Sequence, residues 1–106
     1  MHEEYIYNRI KDIYVDEDTN EKRLFLLAGL TKITYQPLNN SVRRRVIPIK
    51  TKHFDVLLSE APKYSELIPV GVVSKEITKF EYEQLLSACD NDPKVLFCFA
   101  INEKPL

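Results

Sequence analysis

One segment near the C-terminus constrains the fold most, because it carries a complete set of signals for an amphipathic helix. Thr78 and Glu81 have the spacing of a capping box, in which the hydroxyl and the carboxylate each accept a hydrogen bond from a free backbone N–H. Asn91-Asp92-Pro93 is typical of a helix end. The sequence therefore predicts a helix over about 79–90. Its apolar face, at helical spacing, consists of Tyr82, Leu85, Leu86 and Cys89.

Most of the remaining chain is patterned for strands. Two apolar runs, 24–28 and 95–101, have the length and continuity of strands that are covered on both faces. Pro48 favours a position at the edge of a sheet, because proline cannot donate to a sheet ladder. The weaker strand patterns, which are β-branched or aromatic, lie at 31–35, 42–49 and 70–77.

Two segments fit either type of element. Residues 5–15 are rich in tyrosine and isoleucine, as in a strand, but three of the isoleucines also share a helical face. We favour a strand, because residues 16–21 make a polar turn that leads into the next apolar run. Residues 53–60 stay open between strand and helix, since Phe54 and Leu57 fit helical spacing.

These elements predict a single α+β domain over 1–106, with a mostly antiparallel sheet of about five or six strands and the 79–90 helix packed on one face. A chain of 106 residues suits one domain. No apolar run approaches the roughly 20 residues that span a bilayer, and the acidic N-terminus lacks the features of a signal peptide. We therefore expect a soluble, cytoplasmic protein that does not associate with membranes.

The cysteines and histidines give no sign of a cofactor. His2 and His53 have no zinc-like spacing to Cys89 and Cys98, so we expect neither a metal nor another cofactor. The two cysteines fit buried, small apolar side chains, and a disulfide between them is the alternative.

Charge is distributed unevenly although the net charge is −1. Residues 1–21 carry seven acidic and two basic side chains, and residues 53–106 carry nine acidic and five basic ones. The stretch between them, 22–52, carries eight basic side chains and no carboxylate. Such asymmetry fits an anionic partner, and it fits equally well acidic flanks that fold back on the basic stretch.

Within the basic stretch, a binding site for an anion or nucleic acid is predicted at Arg43, Arg45, Lys50 and Lys52. If 42–49 is a strand, Arg43 and Arg45 share a face about 7 Å apart, which is similar to the phosphate spacing of a single nucleic-acid strand. Arginine binds phosphate oxygens bidentately. The alternative is that these charges protect a sheet edge from aggregation or pair within the molecule.

Part of the chain resembles the first half of the CYTH triphosphate-tunnel hydrolases, through residues 41–45 (SVRRR), 54–58 (FDVLL) and 74–77 (SKEI), the last running into a helix. The resemblance implies a triphosphate substrate and a divalent metal. The opening Glu-x-Glu-x-Lys strand of that family is absent, and so is a lysine within 54–58. The chain is also too short to close such a tunnel alone.

Three functions therefore stay open. The leading one is a non-catalytic interaction or regulatory domain that acts by protein–protein contact, since the chain has no catalytic signature. The alternatives are nucleic-acid or polyanion binding through 42–52, and a CYTH-like triphosphate hydrolase. We expect a protein partner, with nucleic acid or another polyanion as the alternative partner. A homodimer also fits, because the acidic and basic stretches could attract each other between copies.

Overall fold

A computed structural model describes residues 2–99. The strands pair antiparallel throughout, in the order β3-β2-β1-β4. This confirms the α+β class and the antiparallel sheet, but within the described residues the sheet has four strands rather than five or six. The strands are β1 (His2–Val15), β2 (Lys22–Leu38), β3 (Ser41–Leu57) and β4 (Gly71–Ile77). The helices are a 3-10 turn (Leu58–Glu60), α1 (Pro62–Leu67), α2 (Lys79–Asn91) and α3 (Val95–Cys98).

Two hairpins join the first three strands. The polar turn at 16–21 is closed by a backbone bond from Asp16 N to Glu21 O of 2.9 Å, which confirms the predicted turn. The second hairpin reverses at Asn39-Asn40, between the paired residues Leu38 and Ser41. Asn39 has a φ of 46°, and asparagine tolerates this left-handed conformation better than most residues, as tight hairpins require.

The strand count is lower than predicted because several short patterns belong to one continuous strand. Residues 24–28 and 31–35 both lie in β2, and no turn interrupts them at Gly29. A side chain at Gly29 would meet the carbonyl oxygen of Lys50 at 3.3 Å, so the glycine allows a close approach of β3. Residues 42–49 and the first part of 53–60 are likewise continuous in β3.

The prediction of a strand over 95–101 is wrong, because residues 95–98 form the short helix α3. The turn that starts it is local, since Asp92 Oδ1 accepts a hydrogen bond from Lys94 N at 3.0 Å. Leu96 and Phe97 are fully buried, and a helical turn that is buried all round has the same apolar continuity as a buried strand. Residues 100 and 101 lie outside the described part of the chain.

Helix α2 confirms the strongest prediction. Glu81 N donates to Thr78 Oγ1 at 3.1 Å and Thr78 N donates to Glu81 Oε1 at 3.0 Å, so both bonds of the capping box are made. The predicted apolar face packs on the sheet, where the ring of Tyr82 stacks on Tyr5 with centroids 4.4 Å apart. The short helix α1 was not predicted; proline occupies one of its first positions.

The core lies between one side of the sheet and the helices, and we call this the helix side. It is the face of Tyr5, Tyr7, Arg9 and Lys11 in β1, all of which are buried. The core cluster joins this face to Leu85 and Cys89 of α2, Leu96 and Phe97 of α3, and Ile68 after α1. The other face, that of residues 6, 8 and 10, is called the open side.

The position of Phe97 predicts a large effect of truncation. Its ring contacts Phe54 and Tyr64 edge to face, with centroids 5.1 and 6.2 Å away. Phe97→Ala should lower the free energy of unfolding by about 3–5 kcal/mol, because it leaves a cavity. Phe80→Ala is the matched control, since Phe80 is 66% exposed, and it should change stability by no more than about 0.5 kcal/mol. Urea titration followed by circular dichroism checks both, and equal effects would contradict this packing.

Candidate functional site

The predicted site residues all lie on β3, which is an edge strand, as Pro48 indicated. Arg43 and Arg45 are exposed, and they lie opposite Gln36 and Thr34 of β2. Lys50 and Lys52 lie farther along the same strand; Lys50 is half-buried and Lys52 is exposed.

A bulge in β3 brings these four side chains to one side of the sheet. Leu30 pairs with Lys50 and Thr31 pairs with Pro48, so Ile49 is an extra residue without a partner on β2. In a regular strand, residues 43 and 45 would face away from residues 50 and 52. The extra residue reverses the alternation, and all four side chains face the helix side. Pro48 was the sequence signal for the bulge, because proline within a sheet is confined to edges and bulges.

Part of the basic stretch is neutralised within the molecule. Arg23 Nε lies 2.9 Å from Asp55 Oδ1, and Tyr14 donates to the same carboxylate. The hydrogen bond from Tyr14 is the largest cause that lowers the pKa of Asp55. Lys32 Nζ lies 3.3 Å from Glu3 Oε1, and Lys50 Nζ lies 4.0 Å from Asp90 Oδ1 on α2.

The far end of the hairpin is not neutralised. In residues 2–99, no carboxylate forms an ion pair with Arg43, Arg44, Arg45 or Lys52. We call the three adjacent arginines the basic tip. Internal pairing, which the sequence left open, therefore accounts for Arg23, Lys32 and Lys50 of the basic stretch, whereas Lys52 and the basic tip keep their charge.

The basic tip and the acidic turn (residues 16–21) lie at opposite ends of the molecule. Strand β2 begins directly after the acidic turn and ends at the hairpin that carries the basic tip. Its 17 residues correspond to about 55 Å of extended chain, and the longest dimension of the molecule is 57 Å. The charge asymmetry of the sequence is thus a separation of charge along the long axis.

The open side of the sheet carries apolar side chains on either side of its central row, which consists of Asn8, Gly29, Thr51 and Ser74. Ile6 and Ile10 of β1 and Phe25 and Leu27 of β2 are half-buried there. The two outer strands add Val46, which is 51% exposed, and Val72, which is 73% exposed. Within residues 2–99, the core cluster that contains the helices lies on the other side.

Three polar side chains of β1 point into the helix side, and sequence reasoning missed them. Tyr7 Oη donates to the carbonyl of Leu96 at 2.7 Å. Arg9 Nη1 is 3.4 Å from the carbonyl of Phe97, and its Nε is buried without a hydrogen-bond partner among the described residues. Lys11 Nζ donates to two carbonyls at the end of α1, those of Ser65 and Ile68.

These donors bind backbone, so their role is structural. Burial lowers the pKa of Lys11, with a smaller contribution from the charge of Arg9. Burial also raises the pKa of Tyr7 to about 12. The sequence signal was the alternation at residues 5, 7, 9 and 11, which the strand interpretation places on one face.

The cysteines and His53 have well-defined surroundings in the structure. Both cysteines are free, and burial raises the pKa of the Cys89 thiol, which disfavours the reactive thiolate. His53 is exposed on the open side. In the described part of the chain, no group of three or more His, Cys, Asp or Glu side chains could hold a metal ion.

The segments that resemble the CYTH hydrolases lie far apart. Residues 41–45 and 54–58 include parts of β3, at one edge of the sheet, and residues 74–77 lie on β4, at the other edge. Among residues 2–99, these two edge strands do not pair with each other.

Comparison with known proteins gives no relative: no family model, curated protein or solved structure matches this chain. The helices within residues 2–99 are all too short or too polar to cross a membrane.

The buried hydroxyl of Tyr7 predicts a stability loss that depends on pH. Tyr7→Phe should cost about 1–3 kcal/mol at pH 7, because the buried carbonyl of Leu96 loses its donor. The folded protein keeps the Tyr7 proton up to a pKa of about 12, whereas unfolded tyrosine ionises near pH 10. The stability that Tyr7 contributes is therefore complete below pH 10 and is lost as the pH rises towards 12.

The difference in unfolding free energy between wild type and Tyr7→Phe should accordingly shrink between pH 10 and 12. Urea titrations at pH 7, 10 and 11 measure it. Tyr35→Phe is the control, because Tyr35 is half-buried on the open side, and it should cost no more than about 1 kcal/mol at pH 7. A constant difference over this range would refute the assignment.

Proposed function

We propose that this protein is a non-catalytic binding domain that contacts another protein chain through the open side of its sheet. The observation that carries the proposal is the group of apolar side chains around the central row of that side. Antiparallel sheets that face water on one side normally alternate apolar residues towards the core with polar residues towards solvent. Here Ile6 and Ile10 point away from the core while Arg9 and Lys11 point into it.

Such a surface fits contact with protein rather than with a small ligand. It is a broad sheet face, and contiguous exposed apolar patches mark interaction sites on soluble proteins. Polar clusters flank its middle at both ends: Tyr35 donates to Glu4 at 3.2 Å at one end, and Arg23 pairs with Asp55 at the other. An apolar centre with a polar rim is the usual composition of a protein interface.

Site-specific photo-crosslinking in the native cells tests this proposal. We expect a benzoylphenylalanine residue in place of Val72, on the open side, to give a defined protein adduct on irradiation. The same residue in place of Phe80 on α2 is the control, because both side chains are highly exposed, and it should give none. The absence of an adduct at position 72, or equal adducts at both positions, would reject the open side as the contact surface.

A second candidate function is binding of nucleic acid or another polyanion through Arg43, Arg45, Lys50 and Lys52. The bulge at Ile49 favours it, because it places the four side chains on one side of the sheet. Arg43, Arg45 and Lys52 have no acidic partner among residues 2–99, and Lys50 is held only by a 4.0 Å pair with Asp90. Exposed arginine forks without internal partners suit phosphate oxygens.

Fluorescence anisotropy with labelled single-stranded DNA, duplex DNA and RNA tests this second function. Four phosphate contacts would weaken duplex binding on the order of 100-fold between 50 and 200 mM salt. The double variant Arg43→Ala, Arg45→Ala should flatten the log–log salt dependence by about two units. Lys63→Ala with Lys94→Ala removes the same charge from exposed positions elsewhere and should leave binding unchanged. Binding that is insensitive to salt, or equal loss in both variants, argues against the site.

A further inference from the structure

We infer that the partner is a second copy of this chain, and this inference rests on the proposed contact through the open side. The two copies stack face to face, with their strands running in opposite directions. Two features carry this inference: the separation of charge along the long axis, and the placement of four apolar residues of β1 and β2 in pairs about the middle of the open side.

Charge selects the orientation of the two copies. A two-fold axis that lies between the sheets and parallel to the strands would place the two basic tips together, and like charges repel. An axis perpendicular to the strands instead brings each basic tip near the end of the other copy that carries the acidic turn. Arg44 faces the open side there, because it lies opposite Tyr35, whereas Arg43 and Arg45 face the helix side. In the isolated chain the two groups lie at opposite ends of a molecule 57 Å long, so they cannot neutralise each other within one copy.

The register of the sheet indicates where this axis would cross the strands. Asn8 pairs with Gly29, and this row continues to Thr51 on β3 and Ser74 on β4. These are small or short polar residues, which let two sheets approach closely. An axis along this row superposes residues that are equally distant from it, so Ile6 of one copy faces Ile10 of the other.

The same axis pairs the larger residues of β2. Phe25 and Ile33 are each four residues from Gly29 and lie on the open side, so each Phe25 ring would cover the partner's Ile33. Any two-fold axis makes such contacts reciprocal, and the apolar match is confined to these residues of β1 and β2, since the same axis places Val72 against the partner's Glu76. Aligned sheets in sandwiches pack about 10 Å apart with their strands rotated by about 30°, which leaves these central contacts in place.

The projected area of the open side is close to what a stable dimer buries. Strand β1 has 14 residues, or about 45 Å, and the three long strands span roughly 15 Å at their usual spacing. This gives a flat projected area of roughly 700 Å², and the accessible area is larger because the side chains make the surface uneven. A stable interface buries about 800 Å² on each partner.

Sedimentation velocity of the wild-type chain at about 50 and 500 mM salt tests the inference. We expect a species of about twice 12.4 kDa at low salt, with a dissociation constant that rises at high salt as the end-to-end attraction is screened. Val72→Glu should weaken the dimer at least about tenfold, whereas Phe80→Glu, with the same change of charge on the helix side, should alter it less than about twofold.

Charge reversal at the two ends tests the orientation. Arg43→Glu, Arg44→Glu and Arg45→Glu together should weaken the dimer, because each tip would then face an acidic turn. Adding Glu17→Arg, Asp18→Arg and Glu21→Arg to the same chain should restore it. If reversal of the basic tip leaves the affinity unchanged, the antiparallel orientation is refuted, since it requires each tip to interact with an acidic turn.

The outcomes separate the inference from the proposed function. A wild-type chain that stays monomeric at about 100 μM and low salt overturns self-association. In that case a crosslink from position 72 to a different protein still supports the open side as a binding surface. A monomer with no adduct at position 72 rejects both.

Discussion

Strand β1 is the element on which the rest of the structure depends, because its side chains hold the short helical segments against the sheet. Tyr7, Arg9 and Lys11 donate to carbonyls of α3 and of the end of α1. Helix ends carry carbonyls without intrahelical partners, and such groups are unfavourable when buried alone. With helices as short as four and six residues, these long-range bonds supply order that helix propensity cannot.

The periodicity of the sequence was sufficient for the elements whose signals are local. The capping box of α2 and the polar turn at 16–21 depend on residues close together in the chain, and both are found as predicted. The prediction of a strand over 95–101 was wrong because a continuous apolar run indicates burial, and both buried strands and buried helices have such runs. The predicted number of strands was too high because Gly29 does not end a strand but lies where β2 and β3 approach closely. No local sequence signal distinguishes a glycine in such a contact from a glycine that ends a strand.

The candidate sites show the same division between local and non-local information. Sequence could place Arg43 and Arg45 on one face, because this needs only the alternation of a strand. It could not align them with Lys50 and Lys52, since the alignment depends on the pairing of Ile49 relative to β2. The open side could not be predicted from the sequence, because it is defined by where the helices pack on the sheet and not by any one segment.

The two sides of β1 explain why the sheet has an apolar open side at all. Its alternation places Arg9 and Lys11 inside, where carbonyl groups accommodate them, and leaves Ile6 and Ile10 outside. A polarity pattern read alone would have turned the isoleucines inward. Because tyrosines and leucines also fill the inner side, the sheet carries large apolar side chains on both faces. A sheet of that kind is stable when both faces are covered, and in residues 2–99 helices cover one. Under the proposed function a partner chain supplies the second layer, and the charges at the two ends of the long axis favour one orientation of a second copy.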